Sequence, residues 1–285
     1  MELFDTHAHY NDEKFDNDRK QVIQDIYNSN VTMLVNAGYS VESSIKGVEI
    51  AKDYDWMFNI VGVSPNDIAE SIDEIDKQIS NIEKLVKKDQ NIVEDVESDT
   101  AESLDIVNNN RKIVAIGEIG LDYYWNKENK DLQRYAFIKQ IELANKYNLP
   151  IVIHTRDAVD DTIDILKNKI EATKKGIFHC CPLNRELVKQ ALKMGFYISF
   201  AGPVTFKNSK NANEIIQMVP LDKMVIETDS PYLAPEPHRG TRNDSRNVKY
   251  IAEKISNVKE MSLEDIAKIT YKNAMKIFEI TDTTA

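Results

Sequence analysis

The feature of this sequence that most restricts its fold is a regular alternation of short apolar segments with segments of helical periodicity. The apolar segments predict eight strands, the first starting within residues 1–3 and the others at 31–36, 57–62, 112–117, 150–154, 175–179, 196–200 and 223–227. Amphipathic helices are predicted at 16–29, 41–53, 99–108, 129–148, 158–167, 185–194 and 211–218, with a closing pair at 244–257 and 262–280. Repeated strand–helix units build a parallel sheet, and eight of them favour an α/β fold of the (β/α)8 TIM-barrel type.

Four of the five histidines stand where a predicted strand ends. With two carboxylates in the same kind of position, the set is His7, His9, Glu118, His154, His179 and Asp229. His7 and His9 are two apart on an extended strand, so their side chains point to one face and can bind the same ion. A His-x-His pair alone is about as often a hydrogen-bonded polar pair at a strand end as a metal site. Six side chains of metal-binding type at strand ends, however, predict a metal centre.

The positions of these six residues also favour the barrel over the alternative fold, an open doubly wound sheet. They follow strands one, four, five, six and eight and so spread around a ring, whereas an open sheet gathers its site at one crevice. The length of 285 residues suits a single barrel domain, 1–285, with its closing helices within 244–280. The interval 67–110 is too long for one helix and predicts an extra helix at about 71–88, inserted after strand three as a lid or as a solvated amphipathic segment.

Composition and charge indicate which cellular compartment and which kinds of binding partner to expect. Hydrophobic residues make up 42% and charged residues 29%, as in ordinary globular proteins. No signal peptide precedes the first strand and no apolar run reaches the length of a membrane span, so we expect a cytoplasmic protein without membrane contact. The two cysteines, Cys180 and Cys181, are adjacent and exclude a disulfide framework. The net charge of −11 disfavours extended coating of nucleic acid but allows a phosphodiester held locally by metal ions.

Six ligands exceed the needs of one tetrahedral ion and fit two divalent ions. Glu118 has the middle position in the ring, so we expect its carboxylate to bridge them. Asp229 is the last of the set, and a carboxylate beside a metal-bound water can both bind the ion and accept the proton of the water. Asp229 is therefore the candidate general base, and Glu118 and Asp229 are the candidate catalytic residues.

Several stretches of the chain resemble the signatures of a known enzyme family. They are Asp5-Thr6-His7-Ala8-His9, Gly117-Glu118-Ile119-Gly120-Leu121-Asp122-Tyr123-Tyr124, Val152-Ile153-His154-Thr155-Arg156, Phe178-His179-Cys180 and Glu227-Thr228-Asp229-Ser230-Pro231-Tyr232-Leu233-Ala234-Pro235. They closely resemble those of TatD-type metal-dependent deoxyribonucleases, and the resemblance extends through nearly the whole chain. It implies a (β/α)8 barrel, a divalent metal centre held by the six residues named above, and phosphodiester hydrolysis with 3′ to 5′ exonuclease action on DNA.

One stretch departs from the family pattern. The family usually has Gly-x-His-Pro after strand three, where this chain reads Gly62-Val63-Ser64-Pro65-Asn66. Relatives use that histidine near the substrate phosphate. Ser64 can donate one hydrogen bond but cannot be a cation, so the substitution affects substrate contact or rate and leaves the implied metal ligands intact.

Further substrate contacts are predicted around the mouth of the barrel. The candidates are Ser64, Tyr123, Arg156, His238 and Arg239, with Tyr124 and Trp125 beside Tyr123. A guanidinium can bind a phosphate through its planar fork and an aromatic ring can stack on a nucleobase, although an ion pair and rim packing are about as common in such positions. Cys180 follows the candidate ligand His179, but no basic residue is placed in the sequence so as to activate its thiol. This indicates a buried thiol rather than a nucleophile.

Three functions fit these observations. The first is a phosphodiesterase that binds Mg²⁺, Mn²⁺ or Zn²⁺ and acts as a monomer on DNA, at single strands or 3′ ends. The second is an amidohydrolase or esterase on the same barrel, although such enzymes often have a carbamylated lysine on strand four, where this chain has Glu118. The third is a barrel that binds metal or nucleotide without turnover, for which Ser64 is the only support.

Overall fold

The eight predicted strands form one parallel sheet that closes on itself. The computed structural model describes residues 1–92, 111–171 and 175–281. Its strands are β1 (Leu3–Ala8), β2 (Val31–Ala37), β3 (Met57–Val61), β4 (Ile113–Asp122), β5 (Ile151–Arg156), β6 (Gly176–Phe178), β7 (Tyr197–Phe200) and β8 (Met224–Ile226). They pair in chain order. The first strand meets the segment after the last one, because the Asp229 amide donates to the His7 carbonyl at 2.9 Å and the His9 amide to the Ser230 carbonyl at 2.6 Å. The predicted (β/α)8 barrel is confirmed.

Helices follow the strands in the order that the sequence predicts. They are α1 (Arg19–Tyr27), α2 (Val41–Ala51), α3 (Ile72–Asp89), α4 (Lys130–Lys146), α5 (Val159–Lys169), α6 (Arg185–Lys193), α7 (Ala212–Met218), α8 (Val248–Lys259) and α9 (Leu263–Phe278). None of the helices in the described ranges is long and apolar enough to cross a membrane.

The helix after β3 is an ordinary member of the outer layer. It contacts both α2 and α4, and its inner face buries Ile75, Ile82 and Val86. Its last residue, Asp89, accepts hydrogen bonds from the Lys112 and Ile113 amides, each at 3.0 Å, and so ties the helix to the start of β4. The helix predicted at about 71–88 is therefore present as α3 and packs against α2 and α4, while its assignment to an insertion stays a prediction. The helix predicted at 99–108 lies outside the described residues.

An apolar layer fills the barrel beneath the predicted site. Every strand contributes to it, through Phe4, Val35, Ile60, Ala115, Val152, Ile177, Tyr197 and Val225. The last helix contributes Ala274, Ile277 and Phe278 to the same cluster. Burial of this surface is favourable, and the filled interior leaves the carboxyl ends of the strands as the open face of the barrel.

Strand β4 is longer than the sequence pattern indicates. The predicted strand ended at Gly117, but pairing with β5 continues through Gly120↔His154 to Asp122↔Arg156. Gly120 has a φ of +142°, and a Cβ there would lie 1.9 Å from the His154 carbonyl oxygen. The glycines that interrupt the apolar pattern therefore permit the close approach of the two strands.

Two buried glutamines of α4 hold the backbone next to the site. Gln140 accepts from the Val63 amide at 2.8 Å and donates to the Val63 carbonyl at 3.0 Å. Gln133 forms the same pair of bonds with Asp122, at 2.8 and 3.0 Å. Each glutamine side chain forms the two backbone hydrogen bonds that a neighbouring strand would otherwise form. The two glutamines thereby fix the backbone at Asp122 and next to Ser64.

Candidate metal centre

All six predicted ligands lie together at the carboxyl end of the barrel. His7 belongs to β1, Glu118 to β4 and His154 to β5, while His9, His179 and Asp229 stand just beyond β1, β6 and β8. Histidine and carboxylate atoms from these residues form three groups, each with its atoms within 4.8 Å of one another. The groups are His7–His9–Glu118, Glu118–His154–His179 and His7–His179–Asp229.

Glu118 divides its two carboxylate oxygens between two pairs of histidines. Its Oε2 lies 3.4 Å from His7 Nε2 and 3.8 Å from His9 Nε2. Its Oε1 lies 3.0 Å from His154 Nδ1 and 3.2 Å from His179 Nε2. With one oxygen toward each nitrogen pair, Glu118 could contact a cation held by either pair of histidines.

Asp229 adds a second carboxylate on the side of the first histidine pair. Its Oδ1 lies 3.1 Å from His9 Nε2 and 3.7 Å from His7 Nε2. The residue has a φ of 58°, in the left-handed region, and its amide is bonded to the His7 carbonyl. This backbone places the carboxylate at the mouth, where the side chain keeps 14% of its surface exposed.

Three of the histidines are held through their second ring nitrogen. His9 Nδ1 lies 3.0 Å from the Ala37 carbonyl oxygen. His179 Nδ1 lies 3.1 Å from Glu227 Oε1, and His154 Nε2 lies 3.0 Å from Asp122 Oδ2. Such partners fix the ring orientation and the tautomer of a metal-binding histidine. The chemistry of this donor set, neutral imidazole with ionised carboxylate, fits divalent ions such as Zn²⁺ and Mn²⁺.

The electrostatics of the cluster keep its carboxylates ionised. Burial alone raises the pKa of Glu118, but the charge of His179 and hydrogen bonds from its histidine neighbours hold that pKa well below its usual value. Burial lowers the pKa of His179, yet Glu118 and Glu227 raise it well above the ordinary value. In the metal-free protein, protons on the histidine rings thus compensate the negative charge of the carboxylates. A bound cation would replace these protons.

Comparison with known proteins agrees with this geometry. Residues 4–279 match the family model described as "TatD related DNase". The chain belongs to the TatD family. A relative in Bacillus subtilis (strain 168), named as the uncharacterized metal-dependent hydrolase YabD, is 40% identical over 278 residues, which cover 98% of this chain and 99% of YabD. The predicted family membership is confirmed, and the chain is a member of a family of metal-dependent hydrolases.

Solved structures of TatD proteins share the fold. The TatD homologue YJJV from Escherichia coli K12 superimposes with a TM-score of 0.84 at 19% identity, with 98% of each chain covered. The TatD family hydrolase from Entamoeba histolytica gives a TM-score of 0.80 at 21% identity, with 99% of each chain covered. At these identities the likeness concerns the barrel itself.

The residue that departs from the TatD pattern lies close to the centre. Ser64 is buried, and its hydroxyl donates to Asp67 Oδ2 at 2.5 Å. Asn66 from the same loop donates to Asp122 Oδ2 at 3.4 Å, the oxygen that holds His154. The loop thus presents a hydroxyl–carboxylate pair and an amide in place of a cationic ring.

The three aromatic residues predicted to stack on a base differ in exposure, and their role as substrate contacts stays a prediction. Tyr123 is buried, and its hydroxyl donates to Asp161 Oδ2 at 2.7 Å, so its ring belongs to the packing of the rim. Tyr124 and Trp125 are exposed instead, at 47% and 68%. Arg156, predicted as a phosphate ligand, stacks on Tyr124 with its Cζ 3.8 Å from the ring centroid.

The loop after β8 carries the remaining candidates at its surface. His238 and Arg239 are both exposed. His238 Nε2 lies 3.0 Å from the Tyr250 hydroxyl, and the Arg239 guanidinium stacks over the Phe206 ring at 4.3 Å. Neither belongs to the three ligand groups. Their role as substrate contacts stays a prediction.

Two residues that contact candidate ligands are not identified by the sequence pattern. Glu227 and Asp122 hold His179 and His154, yet both were grouped with their neighbouring motif residues. The spacing contains a signal, because Asp122 is four residues after Glu118 on one strand and so shares its face. Cys180 donates its backbone amide to Glu227 Oε1 at 2.6 Å, and burial raises the pKa of its thiol well above the usual value, consistent with an inert side chain.

Proposed function

We propose that this TatD protein is a divalent-metal-dependent phosphodiesterase that removes nucleotides from 3′ ends of single-stranded DNA. The family assignment supports metal-dependent hydrolysis. The divided contacts of Glu118 support a site for two ions, of which Mg²⁺, Mn²⁺ and Zn²⁺ are the candidates. This arrangement of one carboxylate between two histidine pairs is the observation that carries the proposal.

The ligand set accounts for binding of the phosphate. By the pairwise distances, His7, His9 and Asp229 would hold one ion, His154 and His179 the other, and Glu118 both. When bound, such ions supply Lewis-acid stabilisation of the phosphoryl oxygens and lower the pKa of a coordinated water. Glu227 and Asp122 keep the imidazole rings of the second pair in place. The protein provides orientation, and the negative carboxylates prevent accumulation of excess positive charge.

Asp229 is the group suited to accept the proton of the attacking water. Burial raises its pKa, but the hydrogen bond and charge of His9 outweigh that effect and lower the pKa below its ordinary value. The carboxylate is therefore ionised at neutral pH and can act as a base. Its partial exposure at the mouth gives it contact with solvent and with an entering substrate.

An end-labelled oligonucleotide assay tests this proposal. Purified protein is incubated with 5′-labelled single-stranded DNA and Mg²⁺ or Mn²⁺. We expect a ladder that shortens from the 3′ end, loss of the ladder with chelator, and a decrease of at least about a hundredfold in rate for Asp229→Ala. Asp222→Ala, an exposed carboxylate at the opposite end of β8, serves as the matched control and should retain full activity.

A different outcome points to a different bond. Solved barrels of similar fold include an organophosphorus hydrolase from Deinococcus radiodurans and a β-aspartyl dipeptidase from Fervidobacterium islandicum, so the fold alone does not choose between phosphate and amide. Turnover of an amide or carboxylic ester by metal-loaded protein that leaves DNA intact would contradict the proposed phosphodiesterase. DNA cleavage that survives both chelation and Asp229→Ala would contradict the proposed mechanism.

A further inference from the structure

An exposed aromatic–guanidinium cluster stands beside the candidate metal centre. Tyr124 and Trp125 follow β4, and Arg156 ends β5. The Arg156 Cζ lies 3.8 Å from the Tyr124 ring centroid and 5.4 Å from that of Trp125. The two rings meet edge to face, with centroids 4.9 Å apart at 87°. We call these three residues the platform.

The platform is attached to the carboxylate that orients a candidate ligand. Asp122 Oδ1 accepts hydrogen bonds from the Tyr124 amide at 2.9 Å and the Trp125 amide at 3.0 Å. The other oxygen, Oδ2, lies 3.0 Å from His154 Nε2. One buried side chain therefore sets the position of both the platform and His154, and Gln133 in turn pins the Asp122 backbone.

The platform is also close enough to touch a nucleotide next to the reacting phosphate. Arg156 is two residues beyond His154 on β5, which corresponds to about 7 Å along an extended strand. Stacked nucleotides of one strand are about 3.4 Å apart, so this separation spans about two of them.

The chemistry of the platform suits an unstacked base. Trp125 is the most exposed of the large hydrophobic side chains in the described ranges, at 68%. Arg156 forms no ion pair within those ranges, so its charge remains available. Aromatic rings and guanidinium groups stack on the faces of nucleobases without selecting their sequence. In duplex DNA those faces are covered by neighbouring base pairs.

We propose that the platform of Tyr124, Trp125 and Arg156 stacks an unpaired nucleobase beside the scissile phosphate and so makes the enzyme select single strands. This inference rests on the proposed action on DNA. The net charge of −11 gives the protein no general attraction for a polyanion, so local contacts hold the substrate, and the platform would add a contact with a base to the binding of the phosphate at the metal centre.

Kinetics with and without bases test the proposal. The substrates are a 5′-labelled single-stranded oligothymidylate and the same strand with abasic residues near its 3′ end. For Trp125→Ala we expect kcat/KM on the thymidylate to fall about ten- to a hundredfold, with little change on the abasic strand. Trp56→Phe is the matched control, because Trp56 packs against Tyr27 and Tyr54 away from the platform, and it should behave like the wild type on both strands.

Fluorescence provides a readout that does not depend on cleavage. The chain has two tryptophans, so Trp56→Phe leaves Trp125 as the sole reporter. In the presence of chelator, we expect oligothymidylate to quench its emission, whereas blunt duplex and abasic strands at equal concentration leave it unchanged. Arg156→Ala in the same background should weaken the quenching.

The two readouts separate failure of the platform from failure of the proposed function. Quenching by single strands in a protein that cleaves no DNA would support the platform and contradict the nuclease. Cleavage that Trp125→Ala reduces equally on thymidylate and abasic strands, or does not reduce at all, would overturn the platform. Equal quenching by duplex and single strand would overturn the selection of unpaired bases.

Discussion

Single residues behind the candidate ligands orient the imidazole rings of the centre. Glu227 is fully buried, and its Oε1 both accepts from the Cys180 amide and holds His179 Nδ1. Its other oxygen, Oε2, has no hydrogen-bond partner within the described residues. The side chain thus acts as a fixed negative support for one ring of the site.

Replacement of this support should weaken metal binding. For Glu227→Gln we expect affinity for Mn²⁺ or Zn²⁺ to fall about ten- to a hundredfold, because the amide supports the orientation and basicity of His179 less well. Isothermal titration with the metal measures the change. Glu264→Gln, an exposed position at the start of α9, is the control and should bind as the wild type does. Equal affinities for the two variants would contradict the role of Glu227.

For single residues, the sequence predicts which side chains could bind a metal and where in the fold they lie. The six ligand candidates could be named because each ends an apolar run and carries a metal-binding group. The orientation of a histidine ring cannot be predicted from the apolar segment that precedes it. Which nitrogen of His154 faces Glu118, and that Asp122 holds the other nitrogen, depends on pairing between β4 and β5. For the same reason, the sequence does not distinguish the buried ring of Tyr123 from the exposed rings of Tyr124 and Trp125.

At the scale of elements, α4 is the helix that positions the loops of the site. Gln140 bonds both backbone groups of Val63, next to Ser64. For Gln140→Ala we expect a loss of about 2–4 kcal/mol in the free energy of unfolding, because a buried donor and acceptor lose their partners. Urea denaturation measures it. Gln21→Ala on the exposed face of α1 should change stability by at most about 0.5 kcal/mol, and an equal loss in both variants would contradict the role of Gln140.

The contact between α3 and α4 should give the stability of the protein a measurable dependence on pH. Hydrogen bonds from Lys146 and Tyr147, both at 2.7 Å, lower the pKa of Glu83 below its ordinary value of 4.5. A carboxyl group whose pKa is lowered by folding contributes stability above pH 4.5 and loses it as the pH falls through the lowered value. Glu83→Gln should therefore cost at most about 1 kcal/mol at pH 7.

That difference should disappear in acid. Chemical denaturation of the wild type and of Glu83→Gln at pH 7 and at pH values below about 4 measures it. Glu49→Gln on the exposed face of α2 is the control, since Glu49 is exposed and outside this contact. A difference that grows as the pH falls would contradict the assigned direction of the Glu83 pKa.

Element boundaries show where sequence reasoning stops. Hydrophobic periodicity placed the strands within a few residues, because burial imposes that period directly. It ended β4 at Gly117, since a glycine contributes nothing to an apolar pattern even where it lies within a strand. It also predicts α3, but the packing of that helix against α2 and α4 cannot be derived from periodicity.

At the scale of the whole molecule, the ligands come from strands distributed around the entire barrel, so bound metal should stabilise the closed sheet. At free Mn²⁺ about 100 times its Kd, mass action adds about 2.7 kcal/mol to the free energy of unfolding for each bound ion. For a chain of this size we expect each ion to raise Tm by about 5–10 °C, as measured by calorimetry. Glu118→Ala should lose most of this increase. A full increase in that variant would show that the stabilising metal binds elsewhere.

Glu118 lies between the two proposed cation positions, and metal stoichiometry tests this arrangement most directly. Equilibrium dialysis against Mn²⁺ or Zn²⁺, followed by elemental analysis, gives the ions bound per chain for the wild type and for Glu118→Ala. We expect two ions in the wild type and fewer in the variant. One ion or none in the wild type, or two in Glu118→Ala, would contradict it.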